Sequence, residues 1–267
     1  MLLESVFGYS ASIAQALQTT PSGKMFHPPE DVTTNIEMFL RWIHFIAGIV
    51  WIGHLYFFNF VNVNLMKALD GPTKGKVIPQ LMPRALWWFR WGALVTVLAG
   101  VIYYIQILHS EPDTWITFVK WLLVVVVTYV IIFFSLRQSY PAGKGWVLGL
   151  IVGVIVIIMA VVLILLTGGE GMTRTGTLQT ASNRALSIGI GGGLGVIMLF
   201  NVWGIIWPHQ KRIIAWTADN AEKGTAIPAE SAVLARRAFL ASRMNTWLSI
   251  PMLFFMAAAS HYPVFGR

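Results

Sequence analysis

The chain alternates long apolar stretches with short polar turns, and each apolar stretch is long enough to cross a bilayer as a helix. Roughly 20 apolar residues at a rise of about 1.5 Å per residue span the hydrocarbon core. Proline removes a helical hydrogen bond, so Pro208 is expected to end the fifth stretch. The pattern predicts an all-α fold, a polytopic integral membrane helical bundle with about six transmembrane helices. The predicted spans are residues 36–66, 85–108, 115–136, 146–167, 185–207 and 246–262.

Composition supports this class and excludes several chemistries. Of the 267 residues, 56% are hydrophobic and 11% are charged, and the mean hydropathy is +0.67. This is too apolar for a soluble globular domain. The sequence contains no cysteine, which excludes disulfides, cysteine-ligated iron–sulfur clusters and covalent c-type haem within the chain. Any haem would be bound non-covalently.

The positive charge is interpreted as a topological signal and not as a nucleic-acid site. The formal net charge is +8, but Lys and Arg concentrate in the connections one–two, three–four and five–six. Such loops normally face the cytoplasm. We therefore predict a multi-pass protein of the bacterial inner membrane with both termini on the periplasmic side. Residues 1–34 are expected to form a short N-terminal interfacial helix and an outer loop, and residues 35–267 the six-helix transmembrane domain.

The first span carries polar residues on one helical face. Arg41, His44, Gly48 and Trp51 follow at intervals of three or four residues, which places them on the same side of a helix. Polar groups inside a membrane normally face a protein interior, a cavity or a cofactor. Gly48 would leave room for a flat ring beside His44, which suits a haem or a planar substrate. The alternative is a buried His44 hydrogen-bonded to a neighbouring helix, with Gly48 serving close packing.

Predicted topology places His44 and His261 at a similar depth near the outer face. We therefore consider them as a pair of axial ligands to haem iron from different helices. His54 lies deeper and is a further cofactor-binding candidate, in an inner cluster with Arg90, Asn59 and Asn201. Arg90 would bind a carboxylate there, such as a haem propionate or an acidic substrate. Its alternative is an interfacial cation within an aromatic belt.

The segment GIGGGLGV at positions 189–196 superficially has the composition of a phosphate-binding loop. It lies inside a predicted span, with no preceding strand and no following Lys-Ser or Lys-Thr, so nucleotide binding is not expected. Close approach of another helix or of a ring cofactor accounts better for these glycines.

Several separated blocks resemble the membrane domain of the bacterial urate hydroxylase family. They are RWIHFIAGIVWIG at 41–53, LWWFRW at 86–91, NVW at 201–203, IWPHQK at 206–211 and residues 245–263. The first block is also similar to the first helix of the haem-binding membrane protoporphyrinogen oxidase and of copper-resistance membrane proteins. The likeness to that oxidase implies that His44 is a haem b ligand.

The urate hydroxylase resemblance implies oxidation of urate to 5-hydroxyisourate, with electrons leaving through a c-type cytochrome domain. This chain has no Cys-x-x-Cys-His motif, so the cytochrome is expected to be a separate protein. The chain also differs from the family at two positions. Gly92 stands where an acidic residue is expected, and His54 stands where a small polar residue is expected.

These observations lead to two competing functional hypotheses. In the first, the chain is a redox protein with a b-type haem, with Arg41 pairing with a propionate or an anionic substrate and Trp51 stacking on the ring. In the second, it is a non-catalytic scaffold or accessory subunit of a larger membrane complex. A transporter or metal conduit is a weaker third class, because the spans show no repeated pair of broken helices.

Overall fold

The computed structural model describes residues 29–265 except residue 112 and the segments 138–144 and 168–180. The predicted N-terminal interfacial helix lies outside the described residues. The described residues are almost entirely helical and contain no strand, which confirms the all-α prediction. They form six helices, which we number α1 (Val32–Ala68), α2 (Gly71–Leu108), α3 (Thr114–Arg137), α4 (Gly145–Thr167), α5 (Asn183–Lys223) and α6 (Glu230–His261).

Five of the six helices, α1 to α5, are long and apolar enough to cross a membrane, which confirms a multi-pass membrane protein. The sixth predicted span lies within α6, but α6 is not among those five. Its apolar residues are interrupted by a row of buried polar side chains, Asn245, Thr246 and Ser249. These residues are covered by other helices, so α6 does not need an apolar surface on every side. The predicted orientation of the termini stays a prediction.

The chain divides into two compact units, Met1–Phe39 and Leu40–Arg267. In the first unit the described residues include the beginning of α1. There Asp31 caps the helix, because its Oδ2 accepts a hydrogen bond of 2.7 Å from the backbone N–H of Thr34. All contacts discussed below, apart from this cap, belong to the second unit. The predicted division at residue 34 remains a prediction.

Helix α5 is the buried centre of the second unit. In its most apolar 18-residue window 83% of the residues are buried, compared with 22% in α3. The glycines make this possible, since a Cβ added at Gly191 would lie 3.2 Å from the carbonyl oxygen of Met252 on α6. A Cβ at Gly193 would lie 3.0 Å from the side chain of Val125 on α3. The segment 189–196 is therefore a helix-packing surface, which confirms the prediction for these glycines.

Two helices contain a π-helical turn, Phe57–Asn62 in α1 and Val202–Ile206 in α5. The second turn explains a wrong prediction: Pro208 does not end the fifth helix, which continues to Lys223. The π turn stops just before Trp207, so Pro208 occupies the first turn of a new α-helical segment. Proline is favourable in such a first turn because its ring fixes φ near the helical value.

Helices α1 and α2 run antiparallel in close contact. A Cβ at Gly92 would lie 3.2 Å from the backbone nitrogen of Trp51. Farther along, the rings of Phe58 and Phe89 meet edge to face with centroids 5.4 Å apart. This contact fixes the setting of the polar face of α1 against α2.

Candidate functional site

The imidazole of His44 lies against α2. Its Nδ1 is 2.8 Å from the backbone oxygen of Thr96, and it packs on Gly100, where a Cβ would lie only 2.9 Å from its Cε1. A carbonyl oxygen can only accept, so Nδ1 carries the proton and donates it. In the neutral ring Nε2 then keeps a lone pair. His44 is thus held in the tautomer that presents Nε2 to a metal or a proton donor.

The space expected beside Gly48 is filled by α2. A Cβ at Gly48 would lie 3.7 Å from Cγ2 of Thr96, and the Thr96 hydroxyl donates a hydrogen bond of 2.7 Å to the carbonyl of Gly92. Gly48 therefore faces a threonine and not a slot for a flat ring. At this position the structure has the packing arrangement that was the alternative to a cofactor.

Two guanidinium groups converge on one tyrosine close to His44. The Cζ of Arg41 is 5.2 Å from the ring centroid of Tyr103, and the Cζ of Arg184 on α5 is 5.3 Å from the same centroid. Arg184 also donates a hydrogen bond to the Tyr103 hydroxyl. Tyr103 lies three residues after Gly100, the glycine that receives His44. We call Arg41, His44, Tyr103 and Arg184 the outer cluster.

The outer cluster was only partly predicted. His44 and Arg41 stood out because ionisable residues in an apolar span are costly. Tyr103 and Arg184 were missed, since a tyrosine and an arginine near helix ends are ordinary in membrane proteins. A signal was nevertheless present. Gly100 in α2 and His44 in α1 both lie in outer halves of antiparallel spans, at matching distances from the predicted outer face.

Trp51 and His261 differ sharply in their environment. Trp51 is 1% exposed, and its indole N–H has no acceptor among the described residues. His261 is the last residue of α6 and is exposed. No contact within the described part of the chain joins His261 to His44. The pairing of the two histidines as axial ligands stays a prediction.

His54 borders a cavity between α1 and α2. Its Nδ1 donates to the carbonyl of Val50, 2.7 Å away and one turn earlier. The cavity has a volume of about 390 Å³. It is lined by Ile49, Val50, Gly53, His54, Phe57, Leu81 and Ala85. Apart from His54 this lining is apolar or backbone.

Arg90 is held by aromatic rings. Its Cζ lies 3.7 Å from the ring centroid of Trp207 and 5.8 Å from that of Trp203, whose indole N–H donates to the Arg90 carbonyl at 3.2 Å. Its Nε and Nη1 are buried without a hydrogen-bond partner in the described structure. The charge is therefore stabilised by π faces, as in the aromatic-belt alternative. No carboxylate contacts Arg90 among the described residues.

The predicted inner cluster of His54, Arg90, Asn59 and Asn201 is not assembled among the described residues. Asn59 donates to Ser242 Oγ at 2.8 Å, and Asn201 donates to Asn245 Oδ1 at 2.8 Å. Each of these two asparagines therefore bonds separately to a side chain of α6. The described ranges also contain no group of three His, Asp or Glu side chains that could hold a metal ion.

The helices and the buried polar contacts define an all-helical, multi-pass integral membrane protein. The family described as urate oxidase N-terminal matches residues 69–266, which is most of the chain, and the chain belongs to this family. The match begins after α1, so Arg41 and His44 lie before the matched residues. No curated protein and no solved structure matches the chain.

Proposed function

We propose that the chain is an integral-membrane redox protein of the urate hydroxylase type, which binds a b-type haem through His44 and passes electrons to a separate c-type cytochrome. The bond from His44 Nδ1 to the Thr96 carbonyl is the observation that carries the proposal. A backbone carbonyl on one imidazole nitrogen is the arrangement that orients metal-binding histidines and leaves Nε2 free to coordinate. When bound, the haem would supply one-electron transfer.

The rest of the outer cluster supplies positive charge for an anionic group. Arg41 and Arg184 share the Tyr103 ring, and guanidinium groups donate paired hydrogen bonds to anionic groups. A haem propionate or an anionic planar substrate such as urate has the complementary charge. The indole N–H of Trp51, on the same face of α1 and without an acceptor among the described residues, adds a donor. His261 is not part of the proposal because it is exposed at the end of α6.

The test is a reduced-minus-oxidised absorption spectrum of the purified protein. We expect the bands of a b-type haem in the unmodified chain and their loss in His44→Ala. The matched control is His109→Ala, because His109 also has its Nδ1 bonded to a carbonyl, 2.8 Å from Ile105 O, but is exposed. A spectrum without haem bands, or haem bands that persist in a folded His44→Ala protein, contradicts the proposal.

A second candidate function is that of a non-catalytic accessory subunit. It is favoured by the contacts of Thr96 and Gly100, since these fill the space around Gly48 and His44 and account for both residues by packing alone. Under this hypothesis the protein is free of haem and purifies in a fixed ratio with other membrane subunits. The same spectrum therefore separates the two functions.

A further inference from the structure

A second cavity lies at the end of the bundle opposite the outer cluster. Arg137 is the last residue of α3, and α3 runs back from the end of α2 that carries Tyr103. The cavity has a volume of about 170 Å³ and is bounded by α3, α5 and α6. It is lined by Phe133, Leu136, Arg137, Gly204, Ile205, His209 and Arg237.

All ionisable groups among the described residues that line this cavity are basic. Neither Arg137 nor Arg237 has an ion-pair partner among the described residues. The nearby Arg212 is different, because it pairs with Glu230. The Nδ1 of His209 is buried and has no hydrogen-bond partner in the described structure. Three nitrogen-bearing side chains from three helices thus surround one small space, and the described part of the chain places no counter-charge there.

One wall of the cavity is formed by the π turn of α5 and the residues that follow it. Gly204 lies within the π turn Val202–Ile206, and a Cβ there would lie 3.0 Å from the hydroxyl of Tyr129. Because residue 204 is a glycine, the wall at this position carries no side chain. His209 follows in the first turn of the next α-helical segment. Single π turns inside α-helices are frequent at functional sites.

We propose that this cavity binds a phosphate group. Guanidinium groups donate paired hydrogen bonds to phosphate oxygens, and a tetrahedral anion accepts donors from three directions at once. The unpartnered Nδ1 of His209 supplies a donor when protonated at that nitrogen. The phosphate group belongs either to a soluble phosphate compound or to a lipid headgroup at the membrane surface. Both sources present the same chemistry to Arg137, His209 and Arg237.

The soluble source is tested by calorimetric titration of inorganic phosphate into the full chain in a maltoside detergent, which carries no phosphate group. Losing one charged hydrogen-bond donor is expected to weaken binding about tenfold or more. Arg237→Gln should show this loss, and Arg137→Gln should repeat it if Arg237→Gln does not fold. The control is Arg84→Gln, which removes the same charge from an exposed residue of α2 that bonds to Gln80 of its own helix.

The lipid source is tested by native mass spectrometry of the protein purified with phosphatidylglycerol. We expect the unmodified chain and Arg84→Gln to retain one more lipid molecule than Arg237→Gln. Binding in either assay that depends on Arg237 or Arg137 supports the phosphate site and identifies its source. The proposal is overturned if the unmodified chain binds in neither assay, or if Arg84→Gln weakens binding as much as the cavity variants. Neither assay depends on whether the protein contains haem.

Discussion

Asn201 and Asn245 form a hydrogen bond between α5 and α6, with 2.8 Å separating Nδ2 of Asn201 from Oδ1 of Asn245. Both side chains are 0% exposed. Asn245 in turn donates to the carbonyl of Met198 at 3.0 Å. This pair fixes the rotational setting of α6 against the central helix, because an amide that leaves its partner in an apolar interior loses a bond that nothing replaces.

Replacing Asn245 with Leu is therefore expected to destabilise the protein by about 1 to 3 kcal/mol, since it strands the Asn201 amide. Thermal unfolding in detergent, monitored by size-exclusion chromatography, measures the change in stability. Asn64→Leu is the control, because Asn64 is exposed and bonds to Phe60 of its own helix. An equal loss of stability in both variants would show that the hydrogen bond between Asn201 and Asn245 stabilises the protein no more than the bond of Asn64 within α1.

Gly100→Ala and Gly48→Ala should have very different effects, although both add one methyl group at the α1–α2 contact. The new Cβ at position 100 would lie 2.9 Å from the His44 ring, whereas at position 48 it would lie 3.7 Å from Thr96. Overpacking at position 100 is expected to cost about 1 to 3 kcal/mol and to break the bond from His44 to Thr96. Melting temperatures of the two variants check this, and similar values for both would contradict the packing of the His44 ring on Gly100.

The same comparison applies within the glycine segment of α5. A Cβ at Gly191 would lie 3.2 Å from the backbone oxygen of Met252, which cannot move without shifting α6. At the neighbouring Gly192 the nearest atom is 3.8 Å away, on Trp121. We expect Gly191→Ala to be destabilising by about 1 to 3 kcal/mol and Gly192→Ala to be nearly neutral. Chemical denaturation of both variants in the same detergent is the measurement.

The beginning of α1 is expected to lose order in acid. The amide of Thr34 donates to the Asp31 carboxylate and lowers the pKa of that group below its usual range. Because the folded-state pKa is lowered, the charged carboxylate stabilises the helix at pH values above the ordinary pKa of aspartate. This stabilisation is lost as the pH falls through the folded-state pKa, below about pH 4. The protection factor of the Thr34 amide, which compares the observed hydrogen-exchange rate with the intrinsic rate at the same pH, measures this loss between pH 5 and pH 2. Asp31→Asn should remove the pH dependence of the protection factor, and a profile like that of the unmodified chain would exclude Asp31 as its origin.

The apolar lengths were enough to predict α1 to α5, because lipid requires a continuous apolar surface of about 30 Å. The residues at which the helices begin were harder to predict. Helix α2 begins at Gly71 and not near Ala85, and α6 begins at Glu230 and not near Thr246. These extensions contain several charged residues, among them Lys74 and Lys76 in α2 and Arg236 and Arg237 in α6, so hydropathy alone does not distinguish them from loops.

Individual ionisable residues were predicted better than their partners. His44 and Arg41 were recognised as unusual from their position in a span, but the partner of His44 is the backbone of Thr96, and no residue type identifies a backbone carbonyl. The partners of Arg90, in contrast, are side chains, but they are distant in sequence. Its contacts with Trp203 and Trp207 join residues more than 100 positions apart in sequence, and only the tertiary packing of α2 on α5 brings them together.

The π turn at Val202–Ile206 has a consequence for related chains of different length. A π turn contains about one residue more than an α turn, so deleting a single residue there would restore an uninterrupted α-helix. Because the wider turn accommodates the extra residue, the helix beyond the deletion would keep its angular setting, and His209 would stay on the side of α5 that faces Arg137 and Arg237. The wall at Gly204 would change instead, since the turn there would be narrower. Homologues that are one residue shorter in this interval are therefore expected to keep the direction of the helix around a cavity of different shape.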